Sequence, residues 1–95
     1  MKKEYSIMPH NYLYQTERYS GSERHEVFGA ANRKKSIEYG LVIFLSPLNH
    51  RDNKIGIHSD KTFRLKVQQI GQKAYMEHYD KTIEEFIEKF GKNYL

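Results

Sequence analysis

Three histidines are the residues of this 95-residue chain best suited to chemistry: His25, His50 and His58. A neutral imidazole can take a proton from water near neutral pH, and it is also a common metal ligand. The chain contains no cysteine, so disulfides and thiolate zinc sites are excluded, and any ion would be held by His, Asp, Glu, Asn or backbone oxygens. For the other two histidines, His10 and His78, we expect surface or half-buried positions.

Two predicted strands would position the first histidines. The segment ERHEVF alternates polar and apolar residues, and GLVIFLS is a short apolar run, so both are typical of strands and together predict a hairpin. The connection between them is too long for a tight turn. We predict one helical turn there, from about Arg33 to Tyr39, closed by Gly40 in the left-handed conformation. His25 would lie on the first strand and His50 in the loop after the second.

Two helices are predicted after His58. The first has Ser59 or Asp60 as its N-cap, and Gly71 weakens it by about 1 kcal/mol relative to alanine. Its apolar residues recur at three- and four-residue spacing: Phe63, Val67, Ile70, Ala74 and Tyr75. The second helix starts at the capping box TIEE and stops at Gly91. Its apolar face consists of Ile83, Phe86, Ile87 and Phe90.

These elements predict an α+β fold, a β-hairpin followed by an α-helix with an additional short C-terminal helix. The length allows one domain, residues 1–95, with a small core, and residues 1–12 are a candidate flexible N-terminal arm. No run of roughly 18 apolar residues is present and no apolar segment follows the N-terminal lysines. We therefore expect neither a membrane span nor a signal peptide, and a cytoplasmic location.

The charge is unevenly distributed. Sixteen Lys and Arg against twelve Asp and Glu give a net charge of +4, which suits a polyanionic partner. The basic excess lies between Arg24 and Arg51, around the turns that carry the histidines. This segment is interpreted either as a phosphate-binding surface or as a solvated basic loop that keeps the protein in solution.

The central segment resembles a known family. RHEVFGAANRKKSIEYGLVIFLSP, followed by NH, IGIHSD and the closing EEFIEKFGKNYL, resembles the small phage and prophage HNH-type endonucleases, which have a ββα-metal fold. The resemblance covers about residues 13 to 95. It implies a phage- or prophage-encoded, metal-dependent enzyme that hydrolyses phosphodiester bonds in DNA inside the host cell.

The resemblance implies a role for each histidine. His25 would be the general base, His58 would bind one Mg²⁺ or Mn²⁺, and His50 would orient His25 or share the metal. Imidazole is softer than the ligands Mg²⁺ prefers, so Mn²⁺, Ni²⁺ or Zn²⁺ could compete at this site. A carboxylate from Glu26 or Asp60 would help. Related sites often have a metal-binding residue just before the base, where this chain has Arg24, which cannot bind metal.

Nucleic-acid binding is assigned to the basic segment. Five residues are expected to contact backbone phosphates without reading sequence: Asn32, Arg33, Lys34, Lys35 and Arg51.

The family's structural zinc is expected to be absent. Its two ligand pairs would fall on Leu13 with Thr16 and on Ser46 with Asn49, none of which replaces a thiolate. We therefore expect packing by the segment NYLYQTERY to compensate. Its aromatic residues would form either an apolar plug or an exposed interface.

Three functions remain open at this point. Retention of all three histidines favours a nuclease with His25 as base. Loss of the zinc ligands, together with Arg24, favours a catalytically degenerate HNH scaffold that binds or inhibits a host factor, such as a host defence nuclease. A plain DNA-binding module is the third interpretation, and the sequence does not reveal an oligomeric state.

Overall fold

The computed structural model describes residues 4–95 of the chain. Over that range the chain forms one antiparallel hairpin and four α-helices, which confirms the α+β prediction in its coarse form. The elements in chain order are β1 (Glu23–Glu26), a 3₁₀ turn (Ala30–Asn32), α1 (Arg33–Glu38), β2 (Val42–Leu45), α2 (Pro47–Arg51), α3 (Lys61–Tyr79) and α4 (Ile83–Phe90).

The hairpin has the predicted connection. β1 pairs antiparallel with β2, with His25 opposite Ile43, and all four β2 residues are buried. α1 fills the connection and is followed by Gly40 at φ 75°, as the sequence predicted. The hydroxyl of Ser36 accepts from the amide of Phe28 at 3.0 Å and donates to its carbonyl at 2.7 Å. This buried pair of bonds fixes α1 against the end of β1.

The main core is an aromatic cluster between the hairpin and the two C-terminal helices. The ring of Phe28 lies 5.3 Å from Phe86 and 5.1 Å from Phe90, centroid to centroid, and Phe86 is fully buried. A Cβ on Gly71 would approach Val27 Cγ1 to 2.8 Å. The glycine that weakens α3 as an isolated helix therefore permits its close packing on the hairpin.

The N-terminal segment packs along the hairpin. The Ile7 amide donates to the Gly40 carbonyl at 2.8 Å, the Ser6 hydroxyl donates to the Val42 carbonyl at 2.6 Å, and Met8 is buried. Residues 4–12 of the candidate flexible arm therefore make defined contacts, and residues 1–3 lie outside the described range.

The expected plug forms in part. Gln15 exchanges two backbone hydrogen bonds with Phe44 of β2, at 3.1 and 2.8 Å, and the neighbouring Tyr14 is buried. Tyr12 and Tyr19 are exposed. The segment therefore supplies one core tyrosine and leaves two on the surface.

A short helix was missed after β2. The Ser46 hydroxyl accepts from the Asn49 amide and caps α2, with Pro47 in its first turn. His50 therefore lies on a helix, and its prediction as a loop residue was wrong. The signal was present, because a serine followed by proline is a typical helix start. Within residues 4–95, no helix is both long and apolar enough to cross a membrane.

Candidate metal centre

The three histidines converge on one point. One ring nitrogen from each of His25, His50 and His58 lies within 4.8 Å of the others. β1 supplies His25, α2 supplies His50, and His58 comes from the turn that precedes α3. Because these elements adjoin along the hairpin, residues up to 33 positions apart in sequence meet, and they lie close enough to bind a metal ion.

His50 is held in a fixed orientation by a carboxylate. Its Nδ1 lies 2.9 Å from Oε1 of Glu23, so Nδ1 carries the proton that it donates to the ionised carboxylate, and Nε2 keeps its lone pair. That Nε2 lies 3.0 Å from Nε2 of His58. Two nitrogens bound to one ion at about 2.0–2.1 Å lie about 2.8–3.4 Å apart for ligand angles of about 90–110°. The separation suits both a shared proton and a shared ion.

His25 is the buried member of the cluster. Only 6 % of its surface is exposed, and burial, followed by the neighbouring His58 and His50, lowers its pKa to about 3. The ring is therefore neutral at physiological pH, with a lone pair available to a metal. A group with so low a pKa is a weak general base in the metal-free site.

The pKa of His58 is also lowered, although His58 is more exposed than His25. Burial, and then the charges of His50 and Arg64, lower the pKa of His58, and Glu26 opposes them. The lowered pKa values of His25 and His58 reduce the competition of protons for their lone pairs, because an imidazole must be neutral to bind a metal ion.

Of the two carboxylates expected near the site, Glu26 lines the same cleft as the three histidines, whereas Asp60 caps a helix. Asp60 accepts from the amides of Thr62 and Phe63 and caps α3, so it serves as the N-cap that the sequence offered. Glu26 accepts from Arg24 at 3.0 Å and from Arg33 at 2.8 Å.

The carboxylate that contacts the cluster is Glu23, which sequence reasoning missed. The pKa of Glu23 is lowered, first by its hydrogen bond with His50 and then by the charge of Arg51. Glu23 lies two residues before His25, and alternate residues of a strand share a face. That spacing was the signal that could have identified it.

The histidines line an open cleft of about 440 Å³, whose walls carry three arginines: Arg24, Arg33 and Arg64. The first two are paired with Glu26. Arg64 donates to the main-chain carbonyl of His58 at 2.8 Å, and within residues 4–95 it has no carboxylate partner. Arg64 is a cation anchored beside the cluster whose charge is not neutralised, and it was not among the predicted site residues.

The five expected phosphate contacts are dispersed. Arg33 lines the cleft, and Arg51 lies next to it through a 2.7 Å bond to Glu23. The Asn32 amide donates to the Phe90 carbonyl and the Lys35 ammonium donates to the Lys89 carbonyl, so both tie α1 to the end of α4. Lys34 lines a separate cavity.

The two remaining histidines, His10 and His78, are exposed and lie outside the cluster.

Comparisons of the chain with protein-family models, with curated proteins and with solved structures found no match. The chemistry of the cleft therefore rests on its own geometry. Three imidazoles around an open cleft can bind an ion and leave coordination positions for water and a substrate oxygen.

Proposed function

We propose that this protein is a metal-dependent phosphodiesterase that acts on DNA, with its metal centre at His25, His50 and His58. The observation that carries the proposal is the convergence of three ring nitrogens within 4.8 Å at an open cleft bordered by arginines. A bound metal ion would lower the pKa of a coordinated water and take up charge on the phosphate.

The three histidines would act together as metal ligands. His50, fixed by Glu23, and His58 direct their Nε2 atoms to the same point, where a bound ion would take the place of the proton that they share. His25 completes the ligand set, because its burial keeps the imidazole neutral. This role replaces the general base that the family resemblance implies for His25, because a bound ion would itself make a water molecule acidic enough to react without a strong base on the protein.

Arg64 is suited to hold the scissile phosphate. Its bond to the His58 carbonyl keeps the guanidinium beside a metal ligand. An arginine without a carboxylate partner retains its charge for an oxyanion that approaches the cleft. Arg33 and Arg51 would contact flanking phosphates once these displace their carboxylate partners.

The ligand set bears on the choice of ion. The resemblance implies Mg²⁺ or Mn²⁺, but Mg²⁺ prefers oxygen ligands, and the three clustered groups are all imidazoles. Imidazole suits Zn²⁺, Ni²⁺ and other late first-row ions. We expect such ions, and Mn²⁺ more than Mg²⁺, to support activity.

Cleavage of supercoiled plasmid tests the proposal. Protein stripped with a chelator should be inactive, and Mn²⁺, Ni²⁺ or Zn²⁺ should restore nicking. His25→Ala and His58→Ala should lower the rate by a factor of 10² or more, since the loss of one metal ligand disrupts the whole centre. His78→Ala, which changes an exposed histidine outside the cluster, is the matched control and should behave as wild type.

Two outcomes would contradict parts of this proposal. Equal cleavage by wild type and His25→Ala, purified in parallel, would remove the catalytic assignment and indicate a contaminating nuclease. If His25→Ala loses activity but binds the ion as tightly as wild type does, His25 is the general base of the resemblance and not a ligand.

A second candidate function rests on the surface tyrosines. Tyr12 is 85 % exposed, and the Lys66 ammonium lies 5.8 Å from the centroid of the Tyr12 ring. Such a surface suits a protein partner, as expected for a degenerate scaffold that binds a host factor. If plasmid stays intact with every ion, binding to a host protein should be lost in Tyr12→Ser but kept in Leu48→Ser, an equally simple change at another exposed apolar residue.

A further inference from the structure

Glu23 is shared between a metal-ligand candidate and an exposed arginine. One carboxylate oxygen contacts Nδ1 of His50 at 2.9 Å, and the other contacts the Arg51 guanidinium at 2.7 Å. The side chain of His50 is 15 % exposed, that of Glu23 28 % and that of Arg51 66 %. The carboxylate therefore lies between the interior of the site and a cation that solvent or a ligand can reach.

The backbone sets this arrangement. Glu23 pairs with Leu45 in the hairpin, and Leu45 directly precedes Ser46, the N-cap of α2. The His50 amide donates to the Ser46 carbonyl at 2.9 Å, and His50 and Arg51 are the last two residues of this short helix, which is anchored opposite Glu23. Strand register and a capped helix thus hold the three side chains in place.

We propose that Glu23 is a positioning residue of the metal centre and that Arg51, through Glu23, couples metal binding to the binding of a nucleic-acid phosphate. The coupling rests on the proposed function, whereas the positioning role needs only that the centre binds an ion. A carboxylate bonded to the far nitrogen of a ligating histidine fixes its tautomer and makes it a stronger ligand.

Arg51 weakens that effect while it remains paired. Its positive charge on the second oxygen offsets part of the carboxylate charge that His50 would otherwise experience. A phosphate that draws the guanidinium away leaves Glu23 to act on His50 alone. The ion should therefore bind more tightly when DNA is bound and, because linkage is reciprocal, DNA should bind more tightly when the ion is present.

Cobalt affinity measures the positioning role without any cleavage assay. Co²⁺ is titrated into the chelator-stripped full-length protein against a competing chelator. Glu23→Ala should weaken binding by about 10- to 100-fold. Glu23→Gln should fall between, because its amide oxygen still accepts from Nδ1 but carries no charge. Circular dichroism confirms that each variant is folded.

Arg51→Gln tests the coupling, and Arg18→Gln is its matched control. The side chain of Arg51 is 66 % exposed and that of Arg18 50 %, and Arg18 is paired with Glu4, so that neither Arg18 nor its partner lines the cleft of the histidines. Arg51→Gln should tighten Co²⁺ binding severalfold, whereas Arg18→Gln should change it little. A phosphorothioate duplex should tighten Co²⁺ binding more in wild type and in Arg18→Gln than in Arg51→Gln.

The outcomes separate the inference from the proposed function. Unchanged Co²⁺ affinity in Glu23→Ala overturns the positioning role, even if plasmid is cleaved. Equal tightening by duplex in wild type and Arg51→Gln, or no effect of duplex on wild type, overturns the coupling. Weaker Co²⁺ binding in the Glu23 variants together with inert wild-type protein supports the positioning role and rejects the phosphodiesterase.

Discussion

The molecule contains two clusters of rings at nearly the same spacing. One is the aromatic cluster of phenylalanine rings in the core, and the other is the imidazole cluster of the three histidines. In the aromatic cluster, Phe28, Phe86 and Phe90 have centroids 4.8 to 5.3 Å apart. In the imidazole cluster, the centroids of His25, His50 and His58 are 4.7 to 5.2 Å apart. Similar ring spacing therefore occurs in a cluster without polar atoms and in a cluster of polar rings. The first cluster is stable as it stands, because its rings have no polar atoms to satisfy.

The imidazole cluster differs from the aromatic cluster because its rings contain nitrogens that need partners. Its nitrogens need a proton or an ion between them, and burial and mutual repulsion lower the pKa of both His25 and His58. Lowered pKa values that result from burial and from neighbouring charges are typical of functional centres. The difference predicts that the two clusters respond oppositely to acid, truncation and metal.

Acid should produce the largest effect, and it should act through the imidazole cluster. The pKa of His25 is about 3 in the folded protein and 6.5 in the reference state, so between these values the unfolded chain binds more protons and stability falls as the pH falls. At about 1.4 kcal/mol per pH unit, the loss approaches about 5 kcal/mol by pH 3.

Urea unfolding from pH 7 to pH 3.5 measures this dependence. His25→Leu removes the titrating ring, and its stability curve should be flatter than that of wild type by most of this amount. The lowered pKa values of Glu4 and Glu23 also reduce stability in acid, and they do so in both proteins. Parallel curves for wild type and His25→Leu would contradict a depressed pKa at His25.

Truncation should have its largest effect on the aromatic cluster. Phe86 is fully buried between Phe28 and Phe90, and Phe86→Ala should lower the free energy of unfolding by about 3–5 kcal/mol through lost burial and a cavity. Ile87→Ala, at a residue 38 % exposed on the same helix, is the matched control and should lose far less. Denaturant unfolding at pH 7 gives both values, and equal losses would show that α4 does not form this part of the core.

The aromatic cluster was largely predictable from sequence, because periodicity carries its signal. The three- and four-residue spacing on α3 and α4 identified Val67, Tyr75, Phe86 and Phe90, all of which are buried. Helix ends followed from local chemistry, as at the Thr82 capping box and Gly91. Such features depend on neighbours in sequence. The exposure of Ile83 and Ile87 was not predictable, since it depends on which other elements of the fold pack against α4.

The metal centre was predictable only in its residue types. Three of the five histidines could be selected because they fall on the first predicted strand, after the second strand and before the following helix. Their approach to within 4.8 Å depends on hairpin register and on α2, which was missed. The partners of charged residues were the least accessible to sequence. Asn32 and Lys35 look like phosphate ligands in a basic run, yet they bond to carbonyls near the end of α4, more than 50 residues away.

Metal addition should produce the smallest of these effects, and it should again separate the clusters. An ion that binds only the folded state stabilises it by about 2.7 kcal/mol at a free concentration 100 times its dissociation constant. Co²⁺ should therefore raise the unfolding free energy of wild type and of Ile87→Ala equally. Co²⁺ should not raise the unfolding free energy of His58→Ala, whose exposed side chain contributes little to the metal-free fold.

Chelation should remove only the stabilisation that the added ion supplies and should leave a cooperative unfolding transition, because no knuckle cysteines hold a structural zinc. Two results would contradict this account: loss of the folded state on chelation, or the same cobalt stabilisation in His58→Ala as in wild type, which would place the ion elsewhere.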